Sequence, residues 1–169
     1  KASQFLGDAF YYFKNRRDAA GAPGPIPQCI LQSLRTAQKT RTETDPLIVI
    51  GHSMGGNIVY DLCTDFASNE DWHIDIFVTV GSQFSLFQEL DLFEGAPVPK
   101  PVDISITKMP KPLKITNWIN VFDKNDVFGY SANRIFADVS DYVYDTGYGS
   151  GPCHSGYFSR PSFYKRLGE

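Results

Sequence analysis

Leu47-Ile48-Val49-Ile50-Gly51-His52-Ser53-Met54-Gly55-Gly56-Asn57 places four apolar residues directly in front of a G-x-S-x-G pentapeptide, with a helix-like stretch behind it. In that order the residues read as strand, sharp turn and helix. This is the geometry of a nucleophile elbow, which lifts a serine hydroxyl at the end of a buried sheet. The apolar run predicts a strand covered on both faces, as in an all-parallel sheet. Gly51 and Gly55 are expected to remove the Cβ atoms that would collide where strand and helix approach, since the serine of such a turn sits in a sparsely populated backbone conformation.

Outward from this stretch, helices and strands alternate. Upstream, Gln4 to Lys14 carries Phe5, Leu6, Ala9, Phe10 and Phe13 at helical spacing. The Gly- and Pro-rich segment Gly21 to Pro27 stops that helix, and Pro27 suits the first turn of a second one through Ile30, Leu31, Leu34 and Ala37. Downstream, Gly55 to Phe66 reads as a helix burying Ile58, Val59, Leu62 and Phe66. Strands are predicted at Ile74 to Val80, Ile115 to Phe122 and Val139 to Tyr144, and a last helix at about Pro161 to Leu167. Between them lies a long segment, Phe84 to Lys114. Its first part has Phe84, Phe87, Leu90 and Phe93 at helix-like spacing, and its second part is broken by five prolines. A Gly-rich loop, Gly147 to Gly156, carries His154. The alternation predicts one α/β domain spanning residues 1–169, layered around a mainly parallel sheet.

Composition narrows the class. The chain of 169 residues is 42% hydrophobic and 21% charged, an ordinary globular balance with enough length for a substantial core. A net charge of −3, with no basic run longer than the Arg16-Arg17 pair, leaves no nucleic-acid footprint. No stretch approaches the apolar length a membrane helix needs. Three widely spaced cysteines, Cys29, Cys63 and Cys153, and the absence of an N-x-S/T sequon favour free thiols in a reducing, cytoplasmic setting. No His/Cys/Asp cluster has metal-ligand spacing, so neither metal nor cofactor is expected.

A serine hydroxyl is a poor nucleophile at neutral pH and needs a base, usually a histidine held by a carboxylate. In elbow-type enzymes acid and base follow the serine in that order. Among three histidines, His52 lies inside the pentapeptide and is expected to point away from Ser53, while His73 begins a strand and suits a surface or capping role. His154 follows the last strand, in Pro152-Cys153-His154-Ser155-Gly156-Tyr157, where a catalytic base belongs. Asp126 and Asp123 both follow the strand Ile115–Phe122 and compete for the acid, with Asp126 favoured; the loser reads as a turn-forming Asp. Asp138 and Asp141 look like solvated positions beside a strand. The Met54 N–H is the expected first oxyanion donor. Ser82 follows a strand but lacks the flanking glycines, and Cys153 reads as a small semi-buried residue rather than a reactive thiol.

With Ser53, Asp126 and His154 in this order, the chain resembles the α/β-hydrolase superfamily on its lipase/esterase side, and within it lipase-like domains with a G-H-S-[LM]-G-G elbow. The matching pieces are Gly51-His52-Ser53-Met54-Gly55-Gly56, Val78-Thr79-Val80-Gly81-Ser82, Trp118-Ile119-Asn120-Val121-Phe122-Asp123 with Asp126-Val127, and His154-Ser155-Gly156-Tyr157. Gly7-Asp8 with Tyr11-Tyr12 resembles the helix before the elbow strand. The resemblance implies a cofactor-free serine hydrolase of three α/β layers, acting on a small-molecule ester or lipid substrate; the alternatives are an amidase or peptidase with the same triad, or a non-catalytic, regulatory domain of that fold within a larger protein. It also implies that the first strands, and the loop giving the second oxyanion donor, come from an N-terminal segment or another domain or chain. In such relatives the segment 84–114 forms a lid or substrate wall, with Phe84, Phe87 and Leu90 against an acyl chain. The same apolar spacing fits a helix packed on the core equally well.

Overall fold

The computed structural model describes residues 2–95 and 108–169. Among these, four strands form one all-parallel sheet in the order β1-β2-β3-β4: β1 Ile48–His52, β2 Ile74–Val80, β3 Ile115–Phe122 and β4 Val139–Val143. Register is continuous across the sheet, with Ile50 opposite Val78, Val78 opposite Ile119 and Ile119 opposite Ser140. The helices are α1 Ala2–Asn15, α2 Pro25–Thr40, α3 Met54–Asp61, α4 Phe84–Glu89, α5 Cys153–Gly156 and α6 Pro161–Leu167. Prolines occupy the first turns of α2 and α6, where a missing N–H costs no helical hydrogen bond. Helix α3 ends in a π-helical turn, Leu62–Phe66, and a 3-10 turn, Tyr157–Ser159, follows α5.

Strand order explains the layering. When successive parallel strands add in one direction, right-handed crossovers put their helices on one face. Side chains from α1, α2, α3 and α4 accordingly share a core with Phe77, Trp118 and Val139. Trp118 stacks against Phe84 at 4.9 Å and Phe136 at 5.2 Å, and its indole N–H donates to Thr79 Oγ1 at 3.0 Å. The opposite face, with Val78, Val80 and Val121, is covered by Tyr157 and by Phe163 of α6.

That second cover reaches only part of the sheet. Ile48 and Ile50 on β1 are about half exposed, at 50% and 48%. The expectation of an elbow strand buried on both faces is therefore corrected: β1 is an edge strand in this structure, and α6 packs over β3 and β4 rather than over it. The predicted ends of β2, β3 and α6 match the observed ones. Residues 96–107 of the expected lid segment lie outside the described residues.

A buried polar network ties α1 to α3. Tyr12 donates to Asp61 Oδ2 at 2.7 Å, Arg16 Nη1 lies 3.1 Å from Asp61 Oδ1, and Arg16 and Arg17 both pair with Asp65. Burial raises the Asp61 carboxyl to about 6, against the lowering effect of Arg16 and the Tyr12 hydroxyl. Among the described residues, no helix is long and apolar enough to cross a membrane.

Candidate active site

The carboxyl ends of the strands collect the chemistry, as open α/β sheets generally arrange it. Ser53 follows β1, the Asp123–Asp126 turn follows β3, and His154 lies in the segment after β4. Ser53 has φ 51° and ψ −126°, a conformation an L-residue holds only when its surroundings impose it. Its N–H donates to the Val80 carbonyl at 2.9 Å, which ties the turn to β2. A Cβ on Gly51 would stand 2.6 Å from Gly56 Cα, so close approach of strand to helix needs glycine there. The partner in this approach is Gly56 and not Gly55, whose Cβ direction is open.

Three side chains form a hydrogen-bonded line. Ser53 Oγ lies 2.8 Å from His154 Nε2, and His154 Nδ1 lies 3.0 and 2.9 Å from Asp126 Oδ1 and Oδ2. Asp126 also accepts from the Phe128 N–H at 2.9 Å and the Tyr157 hydroxyl at 2.9 Å. Burial alone would raise this carboxyl; the bonds from His154, Phe128 and Tyr157 outweigh it and hold Asp126 below the usual carboxylate range. An ionised Asp126 only accepts, so His154 Nδ1–H is the donor in that bond, and Nε2 is the ring nitrogen turned to the serine.

Asp123, the rival acid, faces elsewhere. It accepts from the Asn125 N–H at 2.9 Å, the Thr146 N–H at 2.8 Å and the Thr146 hydroxyl at 2.7 Å. It clasps the loop after β4 to the loop after β3. Asp141, expected to be solvated, instead accepts from Asn120 Nδ2, the Ser131 hydroxyl and the Ala132 and Asn133 N–H groups. Asp141 thereby satisfies the donors of the 131–133 turn.

His52 packs on the segment that carries His154. Its Nε2 donates to the His154 carbonyl at 2.7 Å, and its ring lies 5.0 Å from the His154 ring. Burial holds its pKa below the ordinary histidine value. It alternates onto the α6 face with Ile48 and Ile50, and that face is where α5 sits. His154 is helical rather than in a loop, on the single turn of α5. Cys153 beside it is fully buried rather than semi-buried, because the α5 turn aims its side chain inward. His73 Nε2 pairs with Thr116 Oγ1 at 2.6 Å, a strand-end contact.

The Met54 N–H is the first of α3 and has no intrahelical acceptor. Ser82 is fully buried with no hydrogen-bond partner for its hydroxyl among the described residues, and no base adjoins it. Phe84 and Phe87 are 0% and 3% exposed, packed against Trp118, Phe5 and Phe13, whereas Leu90 is 59% exposed. Two of the three expected wall residues thus lie in the core, because α4 sits on the helical face of the sheet. Rings that do border the relay are Phe128, 5.1 Å from the His154 ring, and Phe5 of α1, 4.8 Å from Phe128. Two clefts lie away from Ser53, one along Arg41–Pro46 and Asp75, the other between β3, β4 and α6.

No group of His, Cys, Asp and Glu among the described residues is arranged to hold a metal ion. No family model matches the chain, and no curated protein matches it significantly.

Proposed function

We propose that the chain is a serine hydrolase of the α/β-hydrolase kind, cleaving carboxylic esters of small-molecule or lipid substrates. The observation that carries this reading is the Ser53–His154–Asp126 line, with heavy-atom separations of 2.8 and 2.9 Å, centred on a serine at φ 51°. No packing requirement accounts for a strained serine aimed at an imidazole whose other nitrogen meets a buried carboxylate.

In this mechanism His154 Nε2 takes the Ser53 proton as Oγ attacks the ester carbonyl. Asp126 stabilises the imidazolium, and the Met54 N–H meets the oxyanion of the tetrahedral intermediate. His154 then gives the proton to the departing alkoxide, leaving an acyl-serine. Water, deprotonated by His154, attacks that acyl group and releases the acid. An amide substrate would follow the same steps.

The uncovered edge strand supports a second element of the proposal. A segment pairing along β1 would cover Ile48 and Ile50 and bring a loop beside Met54, where elbow enzymes take their second oxyanion donor. Losing one such donor costs about 100- to 1,000-fold in turnover. The proposed complete site therefore includes a neighbour of β1, from another segment or a partner chain.

A fluorophosphonate probe applied to the intact folded protein tests the reading. The expected result is one adduct, located on Ser53 by mass spectrometry and absent after Ser53→Ala. An unlabelled Ser53 in folded protein would remove the catalytic function and leave a non-catalytic domain of the same fold.

A further inference from the structure

Tyr157 is a buried polar residue that the three-residue line does not account for. Its ring is fully buried, wedged against Tyr144 and Phe163, with the His52 ring 6.2 Å away. Its hydroxyl bridges the two carboxylate-bearing ends of the turn after β3. It accepts from the Asp123 N–H at 2.8 Å and donates to Asp126 Oδ2 at 2.9 Å. The direction is unambiguous, because a backbone N–H only donates and the phenol has one proton to give. Burial and the nearby Asp126 charge raise the phenol further, so it stays protonated.

Both oxygens of Asp126 are thereby pinned. Oδ1 receives the Phe128 N–H, Oδ2 receives Tyr157, and His154 Nδ1 spans the two. Tyr157 also stands three residues after His154, at the start of the turn that continues α5. One short segment therefore carries both the imidazole and the group that orients its carboxylate.

We propose that Tyr157 is a positioning residue of the relay: its hydroxyl locks the Asp126 carboxylate toward His154 Nδ1 and draws off part of its charge, setting how readily His154 takes the Ser53 proton. This rests on the hydrolase reading and assigns the relay a fourth member. The groups facing His154 are Asp126, the Ser53 hydroxyl, the His52 ring and the Phe128 edge; Asp123 faces it only through Tyr157. Arg160 is turned away, donating to the Thr146 carbonyl and lying over the Tyr148 ring.

Removing the hydroxyl concentrates charge on Asp126 and favours the imidazolium, so a higher pH is needed to free the base. A hydrogen bond to a charged group is a strong one, and only part of its effect reaches the imidazole. The acid limb of the rate profile is expected to move upward by about 0.5 pH unit.

The test is the pH dependence of fluorophosphonate inactivation in the intact protein, for wild type, Tyr157→Phe and Tyr144→Phe. Tyr144→Phe loses a hydroxyl contact to Ser162 at 2.7 Å in the same apolar cluster and serves as the structural control. The expected result is an upward shift for Tyr157→Phe and a Tyr144→Phe profile that superimposes on wild type. A Tyr157→Phe limb that coincides with wild type overturns the proposal, however much slower or less stable the variant is. Should Tyr157→Phe fail to fold, 3-fluorotyrosine at position 157 keeps the bridge and makes the phenol a stronger donor. The limb must then move downward, and a fixed limb overturns the proposal. An absent Ser53 adduct in wild type is a separate failure, since it removes the hydrolase reading itself.

Discussion

Ser53 stores strain that the fold must hold in place, and two substitutions measure it. In Ser53→Ala the hydroxyl and its bond to His154 are lost, but the Cβ remains at φ 51° and ψ −126°. In Ser53→Gly the same bond is lost and the conformation becomes an ordinary one for the residue. The bond cancels in the comparison. What remains is relief of about 1–3 kcal/mol of backbone strain, offset by about 0.5–1 kcal/mol for glycine's extra freedom in the unfolded chain. Ser53→Gly is therefore expected to be the more stable of the two by up to about 2.5 kcal/mol. For a chain of this size that corresponds to a Tm higher by up to about 10 °C. Urea unfolding followed by tryptophan fluorescence gives the difference directly, and both variants should be inert to a fluorophosphonate. If Ser53→Ala proves equal to or more stable than Ser53→Gly, the turn is relaxed and the argument from strain to function fails.

Three further outcomes follow from the site and the core. Asp126→Asn is expected to lower kcat by about 10,000-fold, as loss of the carboxylate frees His154 to adopt the wrong tautomer; Asp123→Asn should leave kcat nearly intact and cost about 1.5–3 kcal/mol of stability, read by denaturant titration. Asp61 supplies a pH signature: its folded value of about 6 exceeds an unfolded value of about 3.9, so the folded chain binds more protons between these values. Stability should accordingly fall as pH rises from about 4 to 6, by up to about 3 kcal/mol, and Asp61→Asn should flatten that slope in urea titrations. Ser82→Ala removes a buried hydroxyl with no partner among the described residues, and should leave stability within about 1 kcal/mol and Ser53 labelling unchanged.

Much of the architecture was legible because it rests on local chemistry. The apolar-rich β2 and β3 runs and the proline-started α6 were readable to the residue, since apolar pattern and flanking turn residues agree there. Asp126 and Asp123 were a different matter. Both follow β3, both bond a backbone N–H two residues ahead, and both carboxyls lie below the usual range. Nothing in spacing separates them; what does is the side from which His154 and Thr146 approach. Tyr157 carried a faint signal, a tyrosine one turn beyond the histidine, but its bond to Asp126 depends on how α5 docks. The burial of Phe84 and Phe87 in the core could not be read either, because helical spacing marks an apolar face without saying what it meets.

The same topology explains both what the site has and what surrounds it. Sequential parallel strands send α3 and α4 to one face, which buries Phe84 and Phe87 in the core shared with Trp118 and α1. The chain then returns after β4 on the opposite face, and this return is what brings His154 across to Ser53, a hundred residues upstream. The return spans β4, β3 and part of β2 before α6 ends, so His52 is the β1 side chain it meets, through the His154 carbonyl, while Ile48 and Ile50 stay half exposed. His52 is thus the clamp between the edge strand and the segment that carries the base. On the proposed reading, a neighbour docking on β1 would bear on that clamp and on Met54 together, which ties the edge of the sheet to the proposed oxyanion hole.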